Sequence, residues 1–276
     1  MRCLVTGHMG YIGSKVYKKL LSLGHDVDGI DIKSGKNILY DLDSLTHERY
    51  DYIFHLAAFP RVEYSVQNPS ATMENNVLST SKILEFAKEK SVKRVIFSSS
   101  SAVIGDNGTP NSPYGLQKLI SEMECDLYSK LYGVDTVCLR YFNVYSEDQP
   151  SDGPYSTIIA AWMEKLKNSQ PLRIDGDGEQ KRDFVHVDDV VDSNIFFMNM
   201  DTNLKDRRVY DIGTGKAVSV NFIKQYIKKY FNKVEFVNAP ARPGDVLQTL
   251  ADIKPMAALG WTASVDVNAG LARCFG

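Results

Sequence analysis

Arg2-Cys3-Leu4-Val5-Thr6-Gly7-His8-Met9-Gly10-Tyr11-Ile12-Gly13-Ser14 is the stretch that decides how this 276-residue chain folds. Its first residues read as a short buried strand, and apolar residues at helical spacing follow through Val16, Leu20, Leu21 and Leu23. Strand, glycine turn and helix in that order are the context of a dinucleotide-binding loop. Gly7 permits the tight turn, Gly10 lets backbone N–H groups approach a diphosphate at the helix N-terminus, and Gly13 lets the helix pack closely on the strand. The spacing is Gly-x-x-Gly-x-x-Gly rather than Gly-x-Gly-x-x-Gly, and the plainer alternative is a tight turn without a ligand.

Working outward, a second strand over Asp26 to Ile30 ends at Asp31. An acid there accepts hydrogen bonds from an adenosine ribose 2′-hydroxyl and repels a 2′-phosphate, which favours NAD over NADP; Lys33, two residues on, tempers that preference. Strands are expected at Tyr52 to His55, Lys93 to Ser98 and Asp135 to Arg140, with helices at Ala71 to Lys90 and Pro113 to Tyr132. This alternation predicts an α/β fold with a doubly wound parallel sheet and helices on both faces. Ligands of such sheets sit outside the strand C-termini, where Gly7, Asp31, Ala58, Ser100 and Asn143 all fall.

The helix at 113–132 opens Ser112-Pro113-Tyr114-Gly115-Leu116-Gln117-Lys118. Tyr114 and Lys118, four apart, share a helix face, and an ammonium beside a phenol favours its ionisation. Such a phenol suits proton abstraction from a sugar or alcohol hydroxyl. The spacing alone also describes an ordinary surface helix; the glycine loop and the serine run Ser98 to Ser101 give it weight.

Beyond Tyr145 the character changes. Ser146 to Gly153 is polar and turn-rich, Tyr155 to Lys167 reads as a helix, and Gly176 to Lys181 as a loop. Asp183 to Asn199 is expected to return to the first domain as strand and helix, with Val209 to Ile212 a further strand. The expected division is discontinuous: 1–145 plus about 182–212 form a dinucleotide-binding domain, and about 146–181 plus 213–276 a smaller substrate-binding domain.

A hydrophobic content of 43% is ordinary for a globular chain, and a formal charge of −2 gives no pull toward nucleic acid or anionic membrane. No apolar run approaches the roughly 20 residues of a membrane span, and Met1 leads straight into the first strand, leaving no room for a signal peptide. Cys3, Cys125, Cys138 and Cys274 lack metal or redox spacing and read as reduced thiols of a cytoplasmic protein. No cluster suggests a metal. His8 reads as a loop residue, His186 as a helix-start residue, and Trp162 and Trp261 as packing residues.

Taken together, these segments resemble the extended short-chain dehydrogenase/reductases, specifically the NAD-dependent nucleotide-sugar epimerases of the UDP-glucose 4-epimerase kind. The resemblance runs through Gly7 to Gly13, Asp41-Leu42, His55-Leu56-Ala57-Ala58, Asn76, Phe97 to Gly105 and Arg140-Tyr141-Phe142-Asn143-Val144-Tyr145. It continues through Gly176 to Val190, the most specific block, and Arg242-Pro243-Gly244-Asp245. It implies a Rossmann domain with a C-terminal substrate domain, NAD as cofactor and a UDP-sugar as substrate. The implied catalytic residues are Tyr114, Lys118 and Ser100, with Ser101 the alternative if the register slips by one. Gly7, Gly10, Tyr11, Ile12, Gly13, Asp31, Asp41, Leu42, Leu56, Ala57, Ala58, Asn76, Ser98, Tyr114, Lys118 and Tyr141 are the implied cofactor contacts. Ser100, Asn143, Arg182, Arg242, Asp245 and Thr249 are the implied substrate contacts.

The implied reaction is 4-epimerisation of a UDP-hexose through a transient 4-keto sugar. The small Thr249, at a position that sets pocket size in the family, suggests room for an acetamido group. Departures are Ile104 for the usual tyrosine, Ser146 for the usual glycine, and a short Gly105–Tyr114 segment. A UDP-uronic acid 4-epimerase or decarboxylase, another nucleotide-sugar oxidoreductase or dehydratase, and a non-catalytic dinucleotide sensor are the rivals. Dehydratases of the family carry Thr-Asp-Glu where this chain has Ser99-Ser100-Ser101, and sensors often lose the tyrosine or lysine. The resemblance also implies a homodimer through the helices at 71–90 and 113–132.

Overall fold

Cys3, Leu4, Val5 and Thr6 are all fully buried, and a strand hidden on both faces belongs in the middle of a sheet covered by helices on each side. The computed structural model describes residues 1–45, 47–60, 62–105, 108–151, 157–201, 207–241 and 246–276. Its strands are β1 (Arg2–Thr6), β2 (Asp26–Ile30), β3 (Tyr52–His55), β4 (Arg94–Ser100), β5 (Thr136–Tyr141), β6 (Asn143–Tyr145), β7 (Leu172–Asp175), β8 (Lys181–His186), β9 (Val209–Ile212), β10 (Ala217–Ser219), β11 (Phe236–Ala239) and β12 (Gln248–Thr249). The main sheet runs β2-β1-β3-β4-β5-β9. β1 pairs in parallel with β2 and β3, and β3 with β4. Chain direction across the sheet reverses at β1 and β3, the switch point where doubly wound sheets bind ligands.

The chain divides into two compact units, Met1–Arg140 with Val191–Tyr210, and Tyr141–Val190 with Asp211–Gly276. In the first, Leu4, Ile30, Ile53, Ile83, Phe86 and Val95 lie in one buried cluster. In the second, Trp162, Leu172, Ile223, Ile227, Leu271 and Phe275 do the same. Sequence reading groups 182–212 with the first domain, yet only Val191–Tyr210 fall there. Strand β8 instead pairs with β6, β10 and β12. The buried Asp183 carboxylate on β8 accepts hydrogen bonds from the backbone N–H groups of Thr214, Gly215 and Ala251, tying β8 to the second unit.

Two helices matter for the site. The helix Pro113–Tyr132 begins on Ser112, whose hydroxyl accepts from Gly115 N at 3.1 Å, and stops at Gly133 in the left-handed region. The expected helix at 71–90 is a run of Pro69–Met73, a π-helical turn Glu74–Leu78, and Ser79–Glu89. Single π turns of this kind often mark functional places, and Asn76 sits in this one.

Candidate active site

In the first unit, the helix Tyr11–Ser22 follows β1 after the glycine turn. Its N-cap is Gly10, which has no side chain to cap the first-turn N–H groups. Gly7 has φ 71°, and a Cβ on Gly13 would lie 2.0 Å from Gly7 O. Close backbone approach and an uncapped helix N-terminus suit an anionic diphosphate. Asp31, at the end of β2, accepts from Met9 N at 2.9 Å and from Lys33 N at 2.9 Å, so the expected ribose acid also braces the glycine turn. His8 packs at a tilt against Tyr17 and fills the space over Gly29 rather than standing free in solvent. These residues fit a bound dinucleotide.

The other expected cofactor contacts of this unit divide by geometry. Ala57 N donates to Thr6 Oγ1 at 3.1 Å, holding Leu56–Ala58 against the end of β1. Asp41 accepts from Asn37 N at 2.6 Å, while Leu42 is buried in the core cluster. Asn76 turns inward: its carbonyl accepts from Phe59 N at 2.7 Å, and its amide donates to Phe59 O at 3.1 Å and to Gln117 Oε1 at 2.8 Å. It therefore shapes the loop after β3 and joins it to the Pro113–Tyr132 helix.

Ser100, Tyr114 and Lys118 come together at the end of β4. Ser100 lies close enough to Tyr114 for its hydroxyl to favour the ionised phenol, while Ser101 opens a short 3-10 turn. Lys118 Nζ donates to Ser98 O at 2.8 Å and lies 4.6 Å from the centre of the Phe97 ring. Tyr114 is 7% exposed and Lys118 3%. Helical spacing leads one to expect a phenol eased toward ionisation, but in the chain alone burial outweighs that effect. Burial pushes Tyr114 up to about 12, against the opposing pull of the Ser100 hydroxyl. It also pulls Lys118 down to about 8, while nearby Cys125 and Glu122 push back.

In the second unit, Asn143, Arg182 and Thr249 stand on the neighbouring strands β6, β8 and β12. Asn143 Nδ2 donates to Asp183 O at 3.1 Å and to Thr249 Oγ1 at 3.2 Å. Asn143 and Arg182 line a cavity of about 380 Å³ with Trp162, Lys165, Arg173, Gln180 and Phe184. Arg173 is paired with Asp175 at 2.6 Å, and Trp162 Nε1 donates to Arg173 O at 3.0 Å. Aromatic walls with several cations suit a planar base carrying a diphosphate. Tyr141 is 7% exposed at the end of β5. Arg242 and Asp245 lie outside the described residues.

Sequence reading misses three residues that hold these groups. Glu122 accepts from Ser99 Oγ at 2.5 Å and from Arg140 through both oxygens. Its place four residues past Lys118 on the same helix is the one signal that could have found it. Asp183 clamps two segments, Thr214–Gly215 and Ala251, beside Asn143 and Thr249, with no local motif to announce it. Trp162, read as packing alone, is buried and also walls the cavity. Among the described residues no His, Cys, Asp and Glu cluster could hold a metal, and no helix is long and apolar enough to cross a membrane.

Comparison with known proteins places residues 3–213 in a match to the NAD dependent epimerase/dehydratase family. A putative UDP-glucose 4-epimerase of Methanocaldococcus jannaschii is 35% identical over 98% of this chain and 96% of its own length. The structure of a Thermotoga maritima UDP-glucose 4-epimerase with UDP-glucose superposes with a TM-score of 0.91 at 32% identity, covering 100% of this chain and 97% of that one. A Bacillus cereus UDP-glucuronic acid 4-epimerase, solved with UDP-glucuronic acid and NAD, gives 0.88 at 29% identity, covering 100% and 98%.

Proposed function

Because the chain belongs to the NAD dependent epimerase/dehydratase family, we propose that it inverts C4 of a UDP-linked hexose through a transient 4-keto sugar, with NAD as its retained cofactor. The observation that carries this reading is the Ser100–Tyr114–Lys118 cluster at the end of β4, in the same compact unit as the glycine turn and Asp31. Bound NAD supplies a nicotinamide that takes up and returns a hydride. Tyr114 accepts the C4 hydroxyl proton as the carbonyl forms and gives it back when the hydroxyl is rebuilt on the other face. Ser100 donates to and orients the reacting oxygen. Lys118, fixed on Ser98 O, supplies the positive charge that the ionised phenol needs.

In the second unit, the cavity walled by Trp162 and Phe184 is the proposed UDP pocket, with Arg182 facing the diphosphate and Asn143 the nucleotide-sugar. Thr249 is small enough to leave room for an acetamido substituent, which supports a UDP-N-acetylhexosamine alongside UDP-glucose. UDP-glucuronate is the second reading, favoured by the likeness to the Bacillus cereus enzyme. Exposed Met73, Leu78, Leu116, Met123 and Leu127 on the two helical segments support a homodimer. Four free cysteines support a reducing compartment, the cytoplasm.

Proton NMR of purified protein with UDP-glucose, UDP-N-acetylglucosamine and UDP-glucuronate, in parallel and without added NAD, tests the proposal. A C4 epimer is expected from at least one, and the fastest names the sugar. If none converts even with NAD supplied, the 4-epimerase reading fails for these sugars.

A further inference from the structure

Tyr114, Lys118 and Glu122 recur every four residues along one helix, and all three are buried, at 7%, 3% and 4% exposure. Each reaches one of three consecutive serines at the end of β4. Tyr114 lies beside Ser100, Lys118 donates to Ser98 O at 2.8 Å, and Glu122 accepts from Ser99 Oγ at 2.5 Å. Two of these rungs belong to the proposed chemistry, and the third is a buried carboxylate with no assigned task.

Glu122 is held harder than either neighbour. Its Oε1 also accepts from Arg140 Nε at 2.9 Å and its Oε2 from Arg140 Nη2 at 2.7 Å, a two-pronged charge-assisted pair. Lys118, by contrast, has no carboxylate at ion-pair distance among the described residues; its ammonium rests on a carbonyl and a ring. Burying an unpaired ammonium is costly unless an opposite charge stands nearby.

The groups acting on Lys118 come from four elements. Its own helix offers Glu122 and Cys125, β4 the Phe97 ring and Ser98 O, β5 Cys138, and β3 His55. His55 is held neutral, pulled down to about 3 by burial and by Lys118 itself. The Cys138 thiol is pushed far up by its hydrogen bond with Cys125 and by burial. Glu122 is the one carboxylate among these groups, and Arg140 is the cation it pairs with.

We propose that Glu122 is a positioning residue of the reaction: the Glu122–Arg140 pair, fixed to β4 through Ser99, sets the charge state in which the Lys118 ammonium serves Tyr114. This inference rests on the roles proposed above for Tyr114 and Lys118. Removing the Glu122 charge takes away the carboxylate that favours the Lys118 ammonium, so Lys118 loses its proton at lower pH. Removing the Arg140 charge does the opposite.

The test is the pH dependence of kcat, with the UDP-sugar that the wild type converts fastest, for the wild type, E122Q, R140M, the double variant E122Q/R140M and the conservative E122D. The alkaline limb should move down by about 1 pH unit in E122Q and up by a similar amount in R140M, and return near its wild-type position in the double variant. E122D, which keeps the charge, should keep the wild-type limb even if kcat falls. A purely structural pair would lower kcat in every variant with the limb unmoved, and that result overturns the proposal. If E122Q does not fold, E122D against R140M decides: an unmoved limb in R140M, or a shifted one in E122D, overturns it. Tyr114→Phe measured in parallel separates the two readings. Full turnover in that variant sinks the catalytic assignment, whereas its collapse with unmoved limbs elsewhere sinks this inference alone.

Discussion

Asn143 and Thr249 meet across 106 residues of sequence through a hydrogen bond from Asn143 Nδ2 to Thr249 Oγ1, 3.2 Å long. The same nitrogen donates to Asp183 O at 3.1 Å, so both amide hydrogens are spent and the carbonyl oxygen is what Asn143 has left to offer. An acceptor suits a hydroxyl or N–H of the bound sugar better than it suits a phosphate oxygen. Thr249→Val, nearly isosteric, releases one amide hydrogen and lets the amide turn. The expected outcome is a rise in KM of about 2- to 10-fold, with kcat changed far less, since one ordinary hydrogen bond is involved. Thr249→Ser should restore the wild-type KM. An unchanged KM in the valine variant would mean that Thr249 does not orient Asn143.

Tyr114→Phe removes the proposed base and leaves the shape of the site. A loss in kcat of about 10²- to 10⁴-fold is expected, with NAD still bound to the purified variant. Burial places the Tyr114 phenol at about 12 in the chain alone, so it is protonated at neutral pH until further positive charge reaches it. Ultraviolet difference titration of cofactor-free wild type against the variant should therefore show one phenol ionising near pH 12. A phenol that ionises near neutrality without NAD would contradict the dominance of burial.

What could be read before the structure was local. Glycine spacing announces the turn after β1 because Gly7 at φ 71° is a property of a few consecutive residues. Ser112-Pro113 and Gly133 mark the ends of one helix by the chemistry of its caps. Harder to read was whatever depends on partners distant in sequence. Strand β8 looks like a return to the first domain until its partners β6, β10 and β12 are known. The Tyr114 and Lys118 spacing gives proximity, but the sign of the phenol's shift depends on how deeply the fold buries it. Asn76 looks like a cofactor contact by motif, while its amide is committed to Phe59 and Gln117.

Gly13→Ala and Gly24→Ala should differ sharply although both replace a glycine at an end of the Tyr11–Ser22 helix. A Cβ at residue 13 would lie 2.0 Å from Gly7 O, a backbone atom of the turn itself, so the turn must move. At Gly24, φ is +77° but nothing lies within 4 Å of the added carbon, and the cost is backbone strain of about 1 kcal/mol. Gly13→Ala is expected to purify with little or no NAD and a melting temperature several degrees lower, through a packing penalty of about 1–3 kcal/mol. Gly24→Ala should retain its cofactor. Equal cofactor content in the two would show that close approach at residue 13 does not shape the binding turn.

His55 gives the acid limit of stability. It is 1% exposed, with Nδ1 2.8 Å from Thr6 Oγ1 and Nε2 3.1 Å from Thr80 Oγ1. Thr80 already spends its hydroxyl hydrogen on Asn76 O at 2.8 Å, so it can only accept from His55, which places the ring proton on Nε2. Nδ1 then accepts from Thr6, and a second proton has nowhere to go without breaking that bond. Burial first, and the Lys118 charge second, pull His55 down to about 3 from 6.5. A lowered histidine pKa means that below pH 6.5 the unfolded chain binds a proton that the folded chain refuses. Its contribution to stability is therefore complete above pH 6.5 and falls progressively until about pH 3, by an amount on the order of 5 kcal/mol. Denaturant unfolding at successive pH values should show this decline in the wild type. His55→Asn should flatten it, even though the variant is less stable at pH 7. If both proteins lose stability in parallel between pH 6.5 and 3, the acid sensitivity lies elsewhere and His55 carries no charge penalty.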